Sequence, residues 1–265
     1  MESIRANPIK LKTQADMNDV FVPIKADKQE IQDVLFIQSA VPKIKLFLHY
    51  IRKQKTELLN LPFFIGIEEL LKGLIFFVLE IKNLYTDPFE VEGVGNQQRQ
   101  KLMRECRLID LVIDCLVYPF ETKMYNIDEL TMKHPITRIC RLVYRLLKHC
   151  VKDCSLNKNY VAQWIDLFFR QAMMTTEENN FTAEKTIAEL LVENYDLLEN
   201  QIESTTIVNL VNLCLEQPKH ERFLNLLSGL CSCEADAITS NQDDICETML
   251  ENNQNKQRLF FFITT

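Results

Sequence analysis

The chain has 265 residues, 47% of them hydrophobic and 25% charged, with only 5 glycines and a formal net charge of -7. Such a composition is too apolar for intrinsic disorder and too poor in glycine for a sheet-rich fold with many tight turns, so an all-α fold is expected. An acidic chain with a pI near 5.3 is also a poor nucleic-acid binder, because phosphate neutralisation needs a dominant or clustered positive field.

The first 26 residues read as an extended N-terminal segment. Phe21 to Ile24 has strand character, and Pro23 forbids a central ladder position. Asp27 and Glu30 then have the spacing of a capping box before Ile31, Val34 and Leu35, so a helical domain is expected over 27–265. Periodicity predicts helices over 28–38, 41–55, 64–84, 97–117, 136–150, 157–174, 182–195, 204–216, 220–232 and 241–252. Leu102, Cys106, Ile109, Ile113 and Leu116 form one apolar stripe, and Ile139, Leu142, Val143, Leu146 and Leu147 form another. Ile187, Leu190, Leu191, Leu197 and Leu198 repeat the pattern, and Trp164 with Phe168 reads as core.

Pro88, Pro119, Pro135 and Pro218 are each expected to end or start an element. Two long loops are predicted, 85–96 and 118–135, the first acidic and carrying Gly93 and Gly95. The longest apolar run, Leu70 to Ile81, contains Lys72, Gly73 and Glu80 and is too short to span a bilayer, so no membrane span is expected. The apolar stretch Leu259 to Ile263 predicts either a last element docked on the core or continuation into a longer protein. Helix pairs joined by short loops suit a stacked solenoid, although the periodicity alone equally allows a non-repetitive bundle, and no clean internal repeat is visible.

The nine cysteines lack the paired spacing of a zinc site and fall mostly at apolar helix positions, as expected of reduced thiols in a core. His49, His134, His149 and His220 are dispersed and read as packed or solvated side chains. No glycine-rich phosphate loop, nucleophile elbow or metal-spaced histidine pair is present, so neither catalysis nor a cofactor or metal is expected.

The run RQKLMRE at 99–105, followed by an apolar helix and then ICRLVYRLLKH at 139–149, resembles the helical region of the inositol trisphosphate receptor family. Asn18 to Leu35 is similar to that family's exit from a ligand-binding β-trefoil, Glu68 to Val78 to its next helix, and Arg222 to Cys231 to its later solenoid. Ryanodine receptors share the region, but Gln100 to Arg104 is nearer the inositol trisphosphate branch. The resemblance implies an armadillo-like helical solenoid, the RIH domain, preceded by the tail of a trefoil. It implies a place on the cytoplasmic side of the endoplasmic reticulum membrane in a calcium-release channel, as a segment for ligand sensing and coupling and not the pore. Contacts with other parts of that receptor are implied; the competing expectation is a freestanding adaptor that binds protein partners.

Gln97, Lys101 and Arg104 are spaced to share one polar stripe of a helix, which ordinarily is a solvated face but can also carry phosphate. The resemblance implies that Lys101 and Arg104 match two phosphate-binding cations of the family. Gln97 stands where the family has a further arginine, and Cys154, Ser155 and Leu156 stand where it has a tyrosine, an arginine and a lysine. Each lost charge-assisted bond removes roughly 1.5–3 kcal/mol, so any inositol phosphate is expected to bind weakly or not at all. Arg138, Arg141, Arg145 and Lys148 are expected to be ion-paired surface on the Ile139 helix.

Overall fold

A computed structural model describes residues 27–250, apart from 83–84, 217–220 and 235. The expectations for residues 1–26, Pro218, His220 and Leu259 to Ile263 lie outside the described residues. The described chain is all-helical, with a single two-stranded hairpin, β1 (Ser232–Cys233) and β2 (Asp236–Ala237).

Twelve α-helices occur among the described residues, and they fall into repeated triplets. The first is α1 (Lys28–Arg52), α2 (Leu61–Leu79) and α3 (Gln97–Glu105), and the second is α4 (Leu108–Glu121), α5 (Pro135–Val151) and α6 (Ser155–Ala162). The third is α7 (Ile165–Met174), α8 (Ala183–Leu191) and α9 (Tyr195–Asn200), and the fourth is α10 (Ser204–Glu216), α11 (Glu221–Cys231) and α12 (Thr239–Leu250). The middle helices α2, α5, α8 and α11 pack one on the next and form the spine. The first helices α1 with α4, and α7 with α10, lie along one side, while α3 with α6 and α9 with α12 make a ridge on another. This is the armadillo-like solenoid, a stack in which each unit completes its neighbour's core.

Helix α1 starts at Asp27, whose carboxylate accepts from the Gln29 N–H at 2.9 Å, as the capping signal predicts. It runs through Pro42, so two expected helices are one. The proline frees the Gln38 carbonyl, but Gln38 is exposed and water can satisfy it. By length and composition α1 alone among the described residues could cross a membrane. Its apolar residues Ile37, Ala40, Ile44, Phe47 and Ile51 are nonetheless fully buried, and α1 packs on α4. Ile31 and Leu35, the first apolar residues after the cap, are exposed.

The helix expected over 97–117 is divided at Arg107, which adopts a left-handed backbone conformation (φ 54°), and the one expected over 157–174 is divided near Trp164. Pro119 lies inside α4 and does not end it, whereas Pro135 opens α5 at the position where a missing N–H costs nothing. His134 caps that helix, its Nδ1 accepting from the Ile136 N–H at 3.2 Å. Pro88 sits in a turn of the loop that follows α2.

Helix α5 is the centre of the molecule. All five residues of its predicted stripe are buried, as are those of the α8–α9 stripe. Tyr144 is fully buried and its hydroxyl donates to the Gln171 side-chain oxygen at 2.6 Å, while Thr186 donates to the Tyr144 carbonyl at 2.7 Å. Both bonds tie the second unit to the third. Phe168 is fully buried, but Trp164 is only partly covered, edge-on to Tyr160. Burial pushes the Cys115, Cys140 and Cys150 thiols far up and that of Cys214 up to about 11, which suits inert core positions.

Candidate anion-binding cleft

Gln97, Lys101 and Arg104 share one face of α3, and the structure closes that face into a cleft of about 360 Å³. The opposite wall is the turn between α5 and α6, comprising Asp153, Cys154, Ser155 and Leu156. Residues that are some 50 positions apart in the chain therefore meet across a single hollow.

Two buried amides fix the walls. Gln100, fully buried on α3, donates from Nε2 to the carbonyls of His149 and Lys152, both at 2.8 Å, and so clamps α3 to the end of α5. The clamp requires Gly95: a Cβ there would lie 2.5 Å from Gln100 Nε2 and 2.9 Å from the His149 carbonyl oxygen. Asn157, also fully buried, donates to the carbonyls of Gln100 (2.9 Å) and Cys150 (2.8 Å), which bolts α6 to α3 and α5. Its side-chain oxygen accepts from Arg104 Nη1, so the guanidinium is anchored at the cleft. Asn241 repeats the bolt in α12, donating to Leu198 and Leu230, both at 3.0 Å.

Lys101 is half exposed and makes only a loose pair with Glu105 at 3.7 Å, so its charge remains available to a ligand. Asp153 contributes the one opposing charge among the lining residues.

A third contribution was not anticipated from the residue types. Two of the helices that end the units, α3 and α9, begin alike: Asn96 accepts from the N–H groups of Gln98 (3.0 Å) and Arg99 (3.1 Å), and Asn194 accepts from that of Leu197 (3.4 Å). Cys154 occupies the same place before α6, with nearly the backbone angles of Asn194 (φ -134° and -126°), and makes no side-chain hydrogen bond to the first turn. The leading N–H groups of α6 are therefore uncapped at Ser155 and Leu156, both of which line the cleft. An open helix N-terminus carries partial positive charge and directs donors at an anion. The cleft thus has Lys101, Arg104 and the α6 N-terminus as attractive groups, with Gln97 and Gln98 as neutral donors.

Of the α5 cations, Arg138 and Lys148 are ion-paired as expected, whereas Arg145 is buried and not at the surface, and Arg141 stacks on an aromatic ring. Arg138 pairs with Glu68 at 2.8 Å, and Arg145 and Lys148 share Glu92, each at 2.9 Å. Arg145 also donates to the Val91 carbonyl, and Arg141 lies 4.6 Å from the Phe89 ring centroid. Buried His149 has neither ring nitrogen partnered among the described residues, and desolvation lowers its pKa to about 4. His49 lies exposed at the end of α1.

A family model described as the RIH domain matches residues 68–260, which takes in both walls of the cleft. Over 247 residues, 88% of its length, the chain is 24% identical to the inositol 1,4,5-trisphosphate receptor itr-1 of Caenorhabditis elegans, of which it spans 8%. Over 170 residues, 64% of its length, it is 25% identical to the inositol 1,4,5-trisphosphate receptor-like protein A of Dictyostelium discoideum, of which it spans 5%. The chain thus corresponds to less than a tenth of either relative.

Proposed function

Given that the chain belongs to the RIH-domain family, we propose that it acts as a helical sensing segment in an inositol trisphosphate-gated calcium-release channel, facing the cytoplasm at the endoplasmic reticulum. Its cleft is the helical half of an anion site, and its solenoid carries rigid-body shifts from that site onward; neither the pore nor any enzymatic chemistry is assigned to it. One observation carries this reading: Lys101, Arg104 and the uncapped start of α6 converge on one hollow. Phosphate groups suit such a site because charge-assisted bonds from arginine and lysine are strong and oxygen acceptors match open backbone N–H groups.

The affinity of this half-site is low. Only two side-chain cations line it, Lys101 is partly neutralised by Glu105, and Asp153 opposes an anion. These same features favour the second reading, a solenoid adaptor whose surfaces engage proteins.

Calorimetric titration with inositol trisphosphate at low salt, run beside the Lys101→Ala, Arg104→Ala double variant, decides between them. Saturable heat that the double variant abolishes is expected of the half-site. Absence of heat, or heat unchanged in the double variant, removes the ligand role and leaves the adaptor.

A further inference from the structure

The solenoid holds a second hollow, on the spine between α8 and α11. Two cavities of about 390 and 360 Å³ adjoin there, sharing Ala188, Asn225 and Leu226. Small residues open the floor: Ala188 is exposed, and a Cβ at Gly229 would meet nothing nearer than Leu191 Cδ1 at 3.6 Å. The rim is acidic, with Glu184 and Glu221 at one end and Glu193 and Glu234 at the other, against Lys185 and Arg222. Arg222 is turned inward, donating to the Thr175 carbonyl and stacking 4.4 Å from the Phe223 ring centroid.

The protein itself shows what such a surface holds. Asp153 and Glu193 occupy matching left-handed positions (φ 54° and 52°) after α5 and α8, which sets the two units 193 - 153 = 40 residues apart. By that offset Lys185 and Ala188 correspond to Arg145 and Lys148. On α5 those positions are covered by the irregular acidic loop that precedes α3: Val91 binds Arg145 through its carbonyl, Glu92 pairs with Arg145 and Lys148, and Phe89 lies beside Arg141. On α8 none of the described residues covers the equivalent surface, Lys185 keeps the cation of Arg145, Lys148 is replaced by Ala188, and four glutamates outnumber the two cations on the rim.

We propose that the α8–α11 groove is a docking site for an extended basic segment of a partner protein, laid down as the 85–96 loop is laid on α5 but with cations facing the four glutamates. Opposite charge supplies orientation and encounter rate, and the Ala188, Leu191, Leu226 and Gly229 floor takes an apolar side chain.

The test uses the whole chain and two fluorescein-labelled peptides, residues 85–96 as they stand and the same peptide carrying Asp87→Lys, Glu90→Lys and Glu92→Lys. Fluorescence anisotropy is expected to show saturable, salt-sensitive binding of the basic peptide alone. Gly229→Leu, which fills the floor, and the exposed pair Glu193→Lys, Glu221→Lys are each expected to weaken it by about tenfold or more. The charge-reversed pair keeps the test decisive if filling the floor unfolds α11. No binding of the basic peptide, equal binding of both peptides, or binding unchanged in the charge-reversed pair overturns the proposal.

Discussion

Replacing Cys154 with asparagine should stabilise the protein and weaken the anion cleft at the same time. Asn96 and Asn194 cap the last helices of the first and third units with an amide, and Cys154 in the unit between them has nearly the same backbone angles as Asn194. An asparagine at 154 can therefore accept from the first turn of α6 without rebuilding the chain. Good N-caps contribute about 0.5–2 kcal/mol relative to alanine. The Asn194 bond is long, at 3.4 Å, so the lower half of that range applies, about 0.5–1 kcal/mol. For a chain of this size such a gain raises the melting temperature by about 1–4 °C.

Thermal unfolding followed by circular dichroism would measure that rise, with Cys154→Ala as a control that removes the thiol without adding a cap. Accepting from the Leu156 N–H, as Asn96 accepts from that of Gln98, the new amide of Cys154→Asn occupies a backbone donor that the cleft would offer to a phosphate, so any calorimetric affinity for inositol trisphosphate should fall. A melting temperature no higher than that of Cys154→Ala would refute the argument, because it would mean that the α6 N-terminus already has its hydrogen bonds.

Three further perturbations follow from the cleft walls. Asn157→Ala leaves the carbonyls of Gln100 and Cys150 and the Arg104 guanidinium without their amide, and should cost about 2–4 kcal/mol in urea unfolding. A loss below about 1 kcal/mol would show that water replaces the bolt. Gly95→Ala drives a methyl group against Gln100 and the His149 carbonyl, and should destabilise by about 1–3 kcal/mol; an unchanged midpoint would mean that the loop yields freely. For His149, burial holds the folded-state pKa near 4, below the ordinary value of 6.5, so the unfolded chain binds the extra proton between those values. Its contribution is therefore present above pH 6.5 and is lost as pH falls towards 4, by a few kcal/mol in all. Urea midpoints at pH 7 and pH 5 should converge more in His149→Asn than in the parent; identical pH dependence would contradict the assignment.

The helical class and most of the core were legible because burial in a solenoid is one-sided and periodic. All of Ile139, Leu142, Val143, Leu146 and Leu147 are buried, and the Asp27 and His134 caps follow from local chemistry. What failed was punctuation. Pro42 and Pro119 lie within helices, and the break at Arg107 carries neither glycine nor proline, so tertiary packing sets these boundaries. The stripe of Gln97, Lys101 and Arg104 could be read from helical spacing, whereas its far wall depended on contacts across the fold. Gln100 and Asn157 gave no signal, since a buried amide and a surface one look the same in a sequence.

The repeat escaped the sequence for a related reason. What recurs is geometry, not residue identity: left-handed positions at Asp153 and Glu193, and buried amide bolts at Asn157 and Asn241. Equivalent sites can differ in chemistry because the backbone and a few carbonyl contacts hold each unit on the next. The anion cleft and the acidic groove then have a common origin. Each lies where a unit departs from its neighbours, Cys154 where they place a capping asparagine and Ala188 where α5 places Lys148 beneath a covering loop. A cap that is withheld leaves donors open, and a surface that no described residue covers leaves a groove open. Interaction surfaces on this solenoid are thus found by asking which hydrogen bonds and covers the neighbouring units satisfy internally and this unit leaves to a ligand.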